Sequence, residues 1–332
     1  MAAADGDGRS LDWLVLGAGI AGLLAAHTLR DAGWRVAVVD KGRGVGGRMA
    51  TRRVGEARCD HGAQFFTCRD PAFAALVASW TAAGAATEWY RGVGDAAAAG
   101  HARHRGVPAM TAVPKRLAAD LDVRLGVRVV ALAAGPDGWL AHLDGGGTLA
   151  ARGVVASAPV SQTLALLDAA GTALPAAVRA ALDEVAYDPC LAVLARLARP
   201  SGLAAPGAVP LDDGPLRWIA DNQVKGVSAV PALTLHASVA FSREHFDAAE
   251  DVIVPALLAA ARTHADIAVA EVQVHRWRYA EPTRGPAERC VASALPAPIV
   301  CCGDAFGAPR VEGAALSGLA AGRCASALLG GA

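Results

Sequence analysis

Gly17, Gly19 and Gly22 stand in the run VLGAGIAG, residues 15–22, with the spacing G-x-G-x-x-G. Glycines so placed suit a diphosphate. The first permits a tight turn, the second lets the backbone approach the ligand, and the third lets a helix pack on a strand. The segment Ala18, Gly19, Ile20 and Ala21 opens that helix, whose amides and dipole favour an anion. Asp40 follows about 20 residues on, where a carboxylate accepts from a ribose hydroxyl. An acid there disfavours a 2′-phosphate, because like charges would meet. The ligand is then NAD or FAD.

These residues need elements to hold them. LDWLVLG reads as a strand, IAGLLAAHTLRDAG as a helix stopped at Gly33, and WRVAVVD as a second strand ending in Asp40. Residues 123–159 read as a three-stranded antiparallel meander with turns at Pro136-Asp137-Gly138 and Gly145-Gly146-Gly147. GVVASAP then returns to the main sheet. Near the end, IVCC reads as a short buried strand leading to Gly303-Asp304, with a helix from about Gly313. The fold class is α/β: a Rossmann-like domain with a β-meander, joined to a mixed α+β domain on an antiparallel sheet. The first is expected over 1–70, 115–159 and 296–332, the second, a substrate domain, over 71–114 and 160–295.

The loop DKGRGVGGRMATRR, residues 40–53, resembles the second glycine signature of the flavin amine oxidase, protoporphyrinogen oxidase and phytoene desaturase superfamily. Gly46, Gly47, Arg48 and Thr51 match its R-x-G-G-R-[ST] pattern in part. A second arginine-bearing loop suits the longer path of FAD. The resemblance implies FAD, bound non-covalently, with Lys41, Arg43, Gly47, Arg48, Met49 and Ala63 beside it and Val129 near the adenine. It also implies that Gly303, Asp304, Val311, Glu312, Gly313 and Ala314 meet the ribityl chain and flavin. A helix N-terminus there would stabilise the charge of reduced flavin.

DKGRGVGGRM, DHGAQFFT, HRWRYA and CGD…RVEGA together resemble the renalases, over nearly the whole chain. That resemblance implies oxidation of 2- or 6-dihydro-NAD(P) to NAD(P)+, with hydride passing to flavin N5 and O2 reoxidising the flavin to give H2O2. Two departures stand out: Phe65 and Phe66 follow Gln64 where Tyr is common, and His61 replaces an apolar residue. His236 and Trp277 fall at matching pocket positions, and Gln64 is expected beside the isoalloxazine as a neutral hydrogen-bonding amide. Trp218, Asn222 and Tyr279 are further pocket candidates. A dihydropyridine needs no strong base, because hydride departure leaves an aromatic ring; positioning suffices. Amine oxidases of the superfamily carry a lysine water-bridged to N5. Here only Lys41, Lys115 and Lys225 exist, in the nucleotide loop, a predicted helix and a polar loop. The alternatives are a flavin amine oxidase or desaturase for another small molecule, and a flavin-binding protein without turnover.

The rest of the chain narrows the setting. DPAFAALVASWTAAG reads as a helix with Asp70 as its cap. In ALTLHASVA apolar residues alternate with Thr234, His236 and Ser238, giving one apolar and one polar strand face. Ser242 reads as capping a helix. His101 and His104 form H-x-x-H in a small-residue loop, with no partner for a metal, and no metal site is expected. Formal net charge is zero over 332 residues, which speaks against nucleic acid and anionic membranes as partners. No apolar run reaches membrane-spanning length. The opening MAAADGDGRS lacks the marks of a secretory signal. Seven scattered cysteines without C-x-x-C fit a reducing, cytoplasmic setting. No specific protein partner is expected.

Overall fold

The computed structural model describes residues 11–92 and 100–330. Residues 1–10, 331–332 and the start of the small-residue loop, 93–99, lie outside them. The chain runs β1 (Leu11–Leu16), α1 (Ile20–Asp31), β2 (Val36–Asp40), a 3-10 turn (Gly47–Met49), β3 (Thr51–Val54), β4 (Ala57–Asp60), α2 (Pro71–Ala82), β5 (Ala86–Tyr90) and β6 (Arg103–Gly106). It continues with α3 (Ala112–Ala118), β7 (Asp122–Leu125), β8 (Val129–Gly135), β9 (Gly138–Leu143), β10 (Thr148–Ala156), α4 (Val160–Ala169), α5 (Ala176–Asp183) and β11 (Ala186–Leu197). Then come β12 (Ala208–Pro210), β13 (Leu216–Asp221), β14 (Ala232–Ala237), α6 (Val239–Glu244), α7 (Glu250–Ala261), β15 (Val269–Arg284), β16 (Val291–Ser293), β17 (Ile299–Cys301) and α8 (Arg310–Gly330).

Two compact units result. Of the described residues, the first holds 11–47, 114–186 and 282–330; the second holds 48–92, 100–113 and 187–281. In the first, the sheet order is β16-β17-β10-β1-β2-β7, and β1 pairs in parallel with both β10 and β2. Such sheets are buried on both faces, which explains why Leu14, Val15, Val38, Val154 and Val300 are fully covered. β8, β9 and β10 form the antiparallel meander, and β10 runs on into the parallel sheet. The expected first meander strand divides: β7 pairs with β2 in the main sheet. Glycines let α8 lie against α1. A Cβ on Gly318 would stand 2.2 Å from the Ala21 carbonyl, and one on Gly322 would stand 2.5 Å from Thr28.

The second unit is built on the antiparallel sheet β12-β13-β14-β11-β15. Leu233, Leu235 and Ala237 of β14 face a core shared with Ile253 and Leu257 of α7. Each buried leucine contributes about 2 kcal/mol by area removed from water. The alternation in β14 is real, but its polar face is not wet: Thr234 and His236 are buried as well.

The boundaries differ from the expected ones. Residues 48–70 belong with the second unit, because Val54, Ala57 and Cys59 of the β3–β4 hairpin pack on Leu194 and Ala232. Residues 160–186 and 282–295 belong with the first, where β16 pairs with β17. Two helix details also change. α6 begins at Val239, capped by Ser238, whose hydroxyl accepts from Phe241 N at 3.4 Å. Ser242 lies inside α6 and accepts from Leu191 N at 3.1 Å, so it caps nothing. α8 starts at Arg310, three residues before Gly313. The cap of α2 is as expected, with Asp70 accepting from Ala72 N at 2.8 Å.

Candidate functional site

The glycine turn of the first unit is held from beneath. Gly17 takes φ +106°, a left-handed value that favours glycine. A Cβ on Gly22 would stand 2.1 Å from the Gly17 carbonyl, so turn and helix touch. A Cβ on Gly19 would meet nothing within 4 Å. That is the geometry of a backbone kept bare for a ligand. The first turn of α1 has no acid and no capping side chain to occupy its amides. Asp40 fixes the turn: Oδ2 accepts from Ala18 N and Oδ1 from Gly42 N, both at 2.7 Å. Each oxygen retains a lone pair for a ribose. The second glycine loop closes on the first through Gly46 N and the Ala18 carbonyl, 2.8 Å apart. Lys41 donates to Gln162 Oε1 at 3.0 Å, and Arg43 is exposed. Val129 opens β8, half-buried.

The late segment belongs to the same unit. Gly303 takes φ +136° and donates its amide to Ser317 Oγ at 2.9 Å. Asp304, Val311 and Ala314 are buried. A Cβ on Gly313 would stand 1.8 Å from the Ala308 carbonyl, so residue 313 serves chain packing. Bare backbone over a helix start, anchored by an acid, fits the diphosphate and ribose of FAD.

In the second unit, residues 60–64 form a buried hub. Asp60 and Lys225 are both fully buried and pair at 2.8 Å. Asp60 Oδ1 also accepts from Thr51 Oγ1 at 2.6 Å and Met110 N at 3.1 Å. Burial pushes the lysine pKa down while Asp60 works to raise it. Lys225 is therefore not the solvated loop lysine that its NQVKGV setting suggests. The expectation for Gln64 also changes. Its Nε2 donates to the carbonyls of Asp60 (2.6 Å) and Gly62 (3.1 Å), and its Oε1 accepts from Lys225 at 3.3 Å. Both N–H groups are committed to backbone. Asn222, expected in the pocket, is fully buried, accepting from Asp60 N and donating to Thr234 Oγ1. From just beyond β13 it ties β4 to β14.

A cluster of rings stands on this hub. The His61 carbonyl accepts from His236 Nε2 at 3.1 Å and from Trp277 Nε1 at 2.8 Å. The His236 proton therefore sits on Nε2. The His61 ring lies 4.7 Å from His275 and 5.0 Å from Trp277, and His275 lies 4.2 Å from Trp277. Arg52 donates to His275 Nδ1 at 2.9 Å, which leaves that ring its proton on Nε2. Burial is the first cause that lowers all three imidazoles. His61 falls to about 4, helped by the neighbouring His275; His236 falls to about 3, with Arg217 adding to it; and His275 falls to about 4, with Arg52 adding to it. The cluster is neutral at physiological pH. His61 Nδ1 and Trp218 Nε1 are buried without a hydrogen-bond partner among the described residues. Such atoms normally find one, and a ligand is one way to supply it.

His236, Trp277 and Gln64 are thus brought together, and Trp218 is opposite His236 in the β13–β14 register. Tyr279 packs on Tyr187 (5.5 Å), and its carbonyl, with that of Ala280, accepts from Arg48 Nη1 at 3.2 Å. Met49 is buried, and Ala63 N donates to the Arg48 carbonyl at 2.7 Å. His104 lies on strand β6, not in a loop, and stacks on Phe66 at 5.7 Å. Sequence reasoning gave Asp60, Lys225 and His275 no role in the site. One signal existed: the chain uses arginine almost everywhere and keeps only three lysines. A compact ammonium fits a closed site that a guanidinium would not.

A bare glycine cradle on a parallel sheet, with a second unit on an antiparallel sheet, defines a dinucleotide-dependent enzyme. Residues 15–80 match the NAD(P)-binding Rossmann-like domain, and residues 80–325 match the flavin containing amine oxidoreductases. The chain belongs to the flavin containing amine oxidoreductase family, and FAD is its cofactor. Among solved structures it is similar to a putrescine oxidase variant from a redesign of cofactor binding, at 18% identity and TM-score 0.71, covering 97% of this chain and 99% of that one. A protein from an Exiguobacterium species assigned as protoporphyrinogen oxidase matches over the same shares, at 12% identity and TM-score 0.74. Wild-type putrescine oxidase bound to putrescine matches over those shares too, at 16% identity and TM-score 0.68. At these identities the likeness is one of fold. Among the described residues no helix is long and apolar enough to cross a membrane, and no group of His, Cys, Asp and Glu is placed to hold a metal.

Proposed function

We propose that this protein is a renalase-type oxidase that converts 2- or 6-dihydro-NAD(P) to NAD(P)+ in a reducing, cytoplasmic setting. Bound non-covalently, FAD supplies a two-electron acceptor that takes hydride at N5 and passes the electrons to O2, giving H2O2. Gly17, Gly19, Gly22 and Asp40 hold its diphosphate and adenosine ribose, with Lys41, Arg43, Gly47, Arg48, Met49 and Ala63 beside it. Val129 serves the adenine, and Gly303, Asp304 and Val311 to Ala314 serve the ribityl chain and ring.

The observation that carries this reading is the neutral ring cluster. His61, His236, His275 and Trp277 form an aromatic, uncharged, largely buried wall. A dihydronicotinamide is itself flat, neutral and partly apolar. It needs stacking and one or two hydrogen bonds, not a base. The unpartnered Trp218 Nε1 offers a donor to a carboxamide oxygen, and His61 Nδ1 stands as a second polar atom in need of a partner. His236 and Trp277 would orient the ring. Gln64, with its amide committed, would position residues 60–64 without touching substrate.

Oxidation of an amine is a second reading. One observation favours it: Lys225 is buried beside Gln64, so the chain does not lack an enclosed lysine.

The test is turnover of purified holoenzyme with 2- and 6-dihydro-NAD(P) in air. The expected result is NAD(P)+ and H2O2 in equal amounts, with putrescine and benzylamine inert. Turnover of an amine and none of the dihydronicotinamides would overturn the proposal.

A further inference from the structure

A cation excess lies in the second unit that the reading above does not use. The period of two along β6 puts Arg103 and Arg105 on one face and His104 on the other. The Arg103 guanidinium lies 5.3 Å over Phe65 and 4.9 Å over Tyr90. Its Nη1 donates to the Arg91 carbonyl, and its Nε is buried with no partner among the described residues. Arg105 is half-buried, and its Nη1 donates to the Gly106 carbonyl at 3.0 Å. Among the described residues neither guanidinium has a carboxylate within ion-pair reach. Lys225 lies 4.7 Å over Trp89, which meets Tyr90 at 4.7 Å, edge to face. Phe65 links this patch to Trp218 at 5.6 Å.

The charge balance is informative. Arg103, Arg105 and Lys225 are three cations, and among the described residues Asp60 is the carboxylate that faces Arg105 and Lys225, already paired with Lys225. Glu88 stands opposite His104, on the other face, and pairs with Arg91 at 2.9 Å. Among the described residues two positive charges are left over. Partly buried charge without a counter-ion is costly. A pyrophosphate diester carries two negative charges, and guanidinium forks match its oxygens.

We propose that Arg103 and Arg105 bind the pyrophosphate of a dinucleotide substrate, making them the residues that select a dinucleotide over its isolated ring. This rests on the reading of the substrate as a dihydronicotinamide dinucleotide. The same excess positive charge would repel a diammonium substrate.

The experiment compares wild-type holoenzyme with Arg103→Met and Arg105→Met on two substrates: 6-dihydro-NAD, and 1-methyl-1,6-dihydronicotinamide, which has no phosphate. A charge-assisted hydrogen bond predicts a KM for the dinucleotide raised about 10- to 100-fold in each variant. We expect kcat to stay within about twofold and KM for the methyl analogue to stay unchanged, because neither arginine touches the ring in this account. Arg→Lys should recover part of the loss, and provides the comparison if a Met variant fails to fold. Unchanged KM for the dinucleotide, or equal rises for both substrates, would overturn the inference. If wild-type enzyme oxidises neither ring, the substrate reading fails, and calorimetric titration of holoenzyme with ADP-ribose decides the inference separately. Binding weakened in the variants keeps it; no binding, or equal binding, removes it.

Discussion

The two units solve the problem of ligand binding in opposite ways. In the first, the cradle is made of what is missing: bare backbone at Gly19, positive φ at Gly17, and a helix start with no competing side chain. In the second, the candidate site is made of what is buried. An ammonium, a carboxylate and two imidazoles, His61 and His236, are taken out of water, with His275 half-buried beside them. Glycine cradles can be written in eight consecutive residues. The buried cluster draws on β4, β13, β14 and β15, more than two hundred residues apart in the chain. The first is cheap to maintain and sensitive to added bulk. The second is costly to maintain and sensitive to lost partners.

The largest expected effect lies in the second unit. Lys225→Met leaves Asp60 fully buried without its counter-ion, and should destabilise the protein by about 3–5 kcal/mol. The double variant Asp60→Asn with Lys225→Met should lose less than the sum of the two single changes. Chemical denaturation of the four proteins measures this coupling; strict additivity would contradict the paired hub.

A close second effect lies in the cradle, and contrasts two glycines three residues apart. Gly22→Ala places a Cβ 2.1 Å from the Gly17 carbonyl and should cost about 3 kcal/mol or more of stability. Gly19→Ala meets nothing in the protein, so apoprotein stability should hold within about 0.5 kcal/mol. Its FAD affinity should nonetheless fall at least about tenfold, because the new methyl enters the ligand's space. Flavin fluorescence titration and apoprotein melting separate the two outcomes.

Acid should act on the second unit through its histidines. Folded His61, His236 and His275 stay neutral down to about 4, 3 and 4, whereas the unfolded chain takes up protons from about 6.5. Unfolded protein therefore binds more protons below that pH. Stability should be flat above about pH 7 and fall through the window from about 6.5 to 4, by up to about 1.4 kcal/mol per pH unit for each of the buried His61 and His236 and by less for the half-buried, solvent-screened His275. His61→Leu should remove at least about a third of that slope. A thermal midpoint that does not move between pH 7 and 5 would contradict the buried, neutral cluster. The smallest effect is expected at Lys41→Met, which removes one exposed hydrogen bond to Gln162. Stability should change by less than about 0.5 kcal/mol.

This contrast also explains what was legible in the sequence. The parallel sheet, the meander turns, the Asp70 cap and the placement of Asp40 all follow from local pattern and turn chemistry. The unit boundaries were not legible, because what assigns residues 48–70 is the packing of Val54 and Cys59 on distant strands. In β14 the alternation of Thr234 and His236 with leucines gives the two faces correctly. It says nothing about residues 60–64, which cover the polar one through Asp60 and His61 carbonyls. Gln64 is expected beside the isoalloxazine and Asn222 in the pocket, and sequence alone does not reveal that Gln64 donates to the Asp60 and Gly62 carbonyls or that Asn222 bonds Asp60 N and Thr234 Oγ1. Lys225 was misread for the same reason: NQVKGV is polar in composition, and its partner stands 165 residues away.

The central claim is that FAD held by the first unit receives hydride from a dihydronicotinamide isomer. Anaerobic stopped-flow of the holoenzyme tests it most directly, following flavin absorbance after mixing with 6-dihydro-NAD, with ordinary 4-dihydro-NADH, and with putrescine. The account predicts rapid bleaching by the 6-dihydro isomer alone, with colour restored when oxygen is admitted. Slow bleaching by that isomer, or rapid bleaching by putrescine, would contradict it.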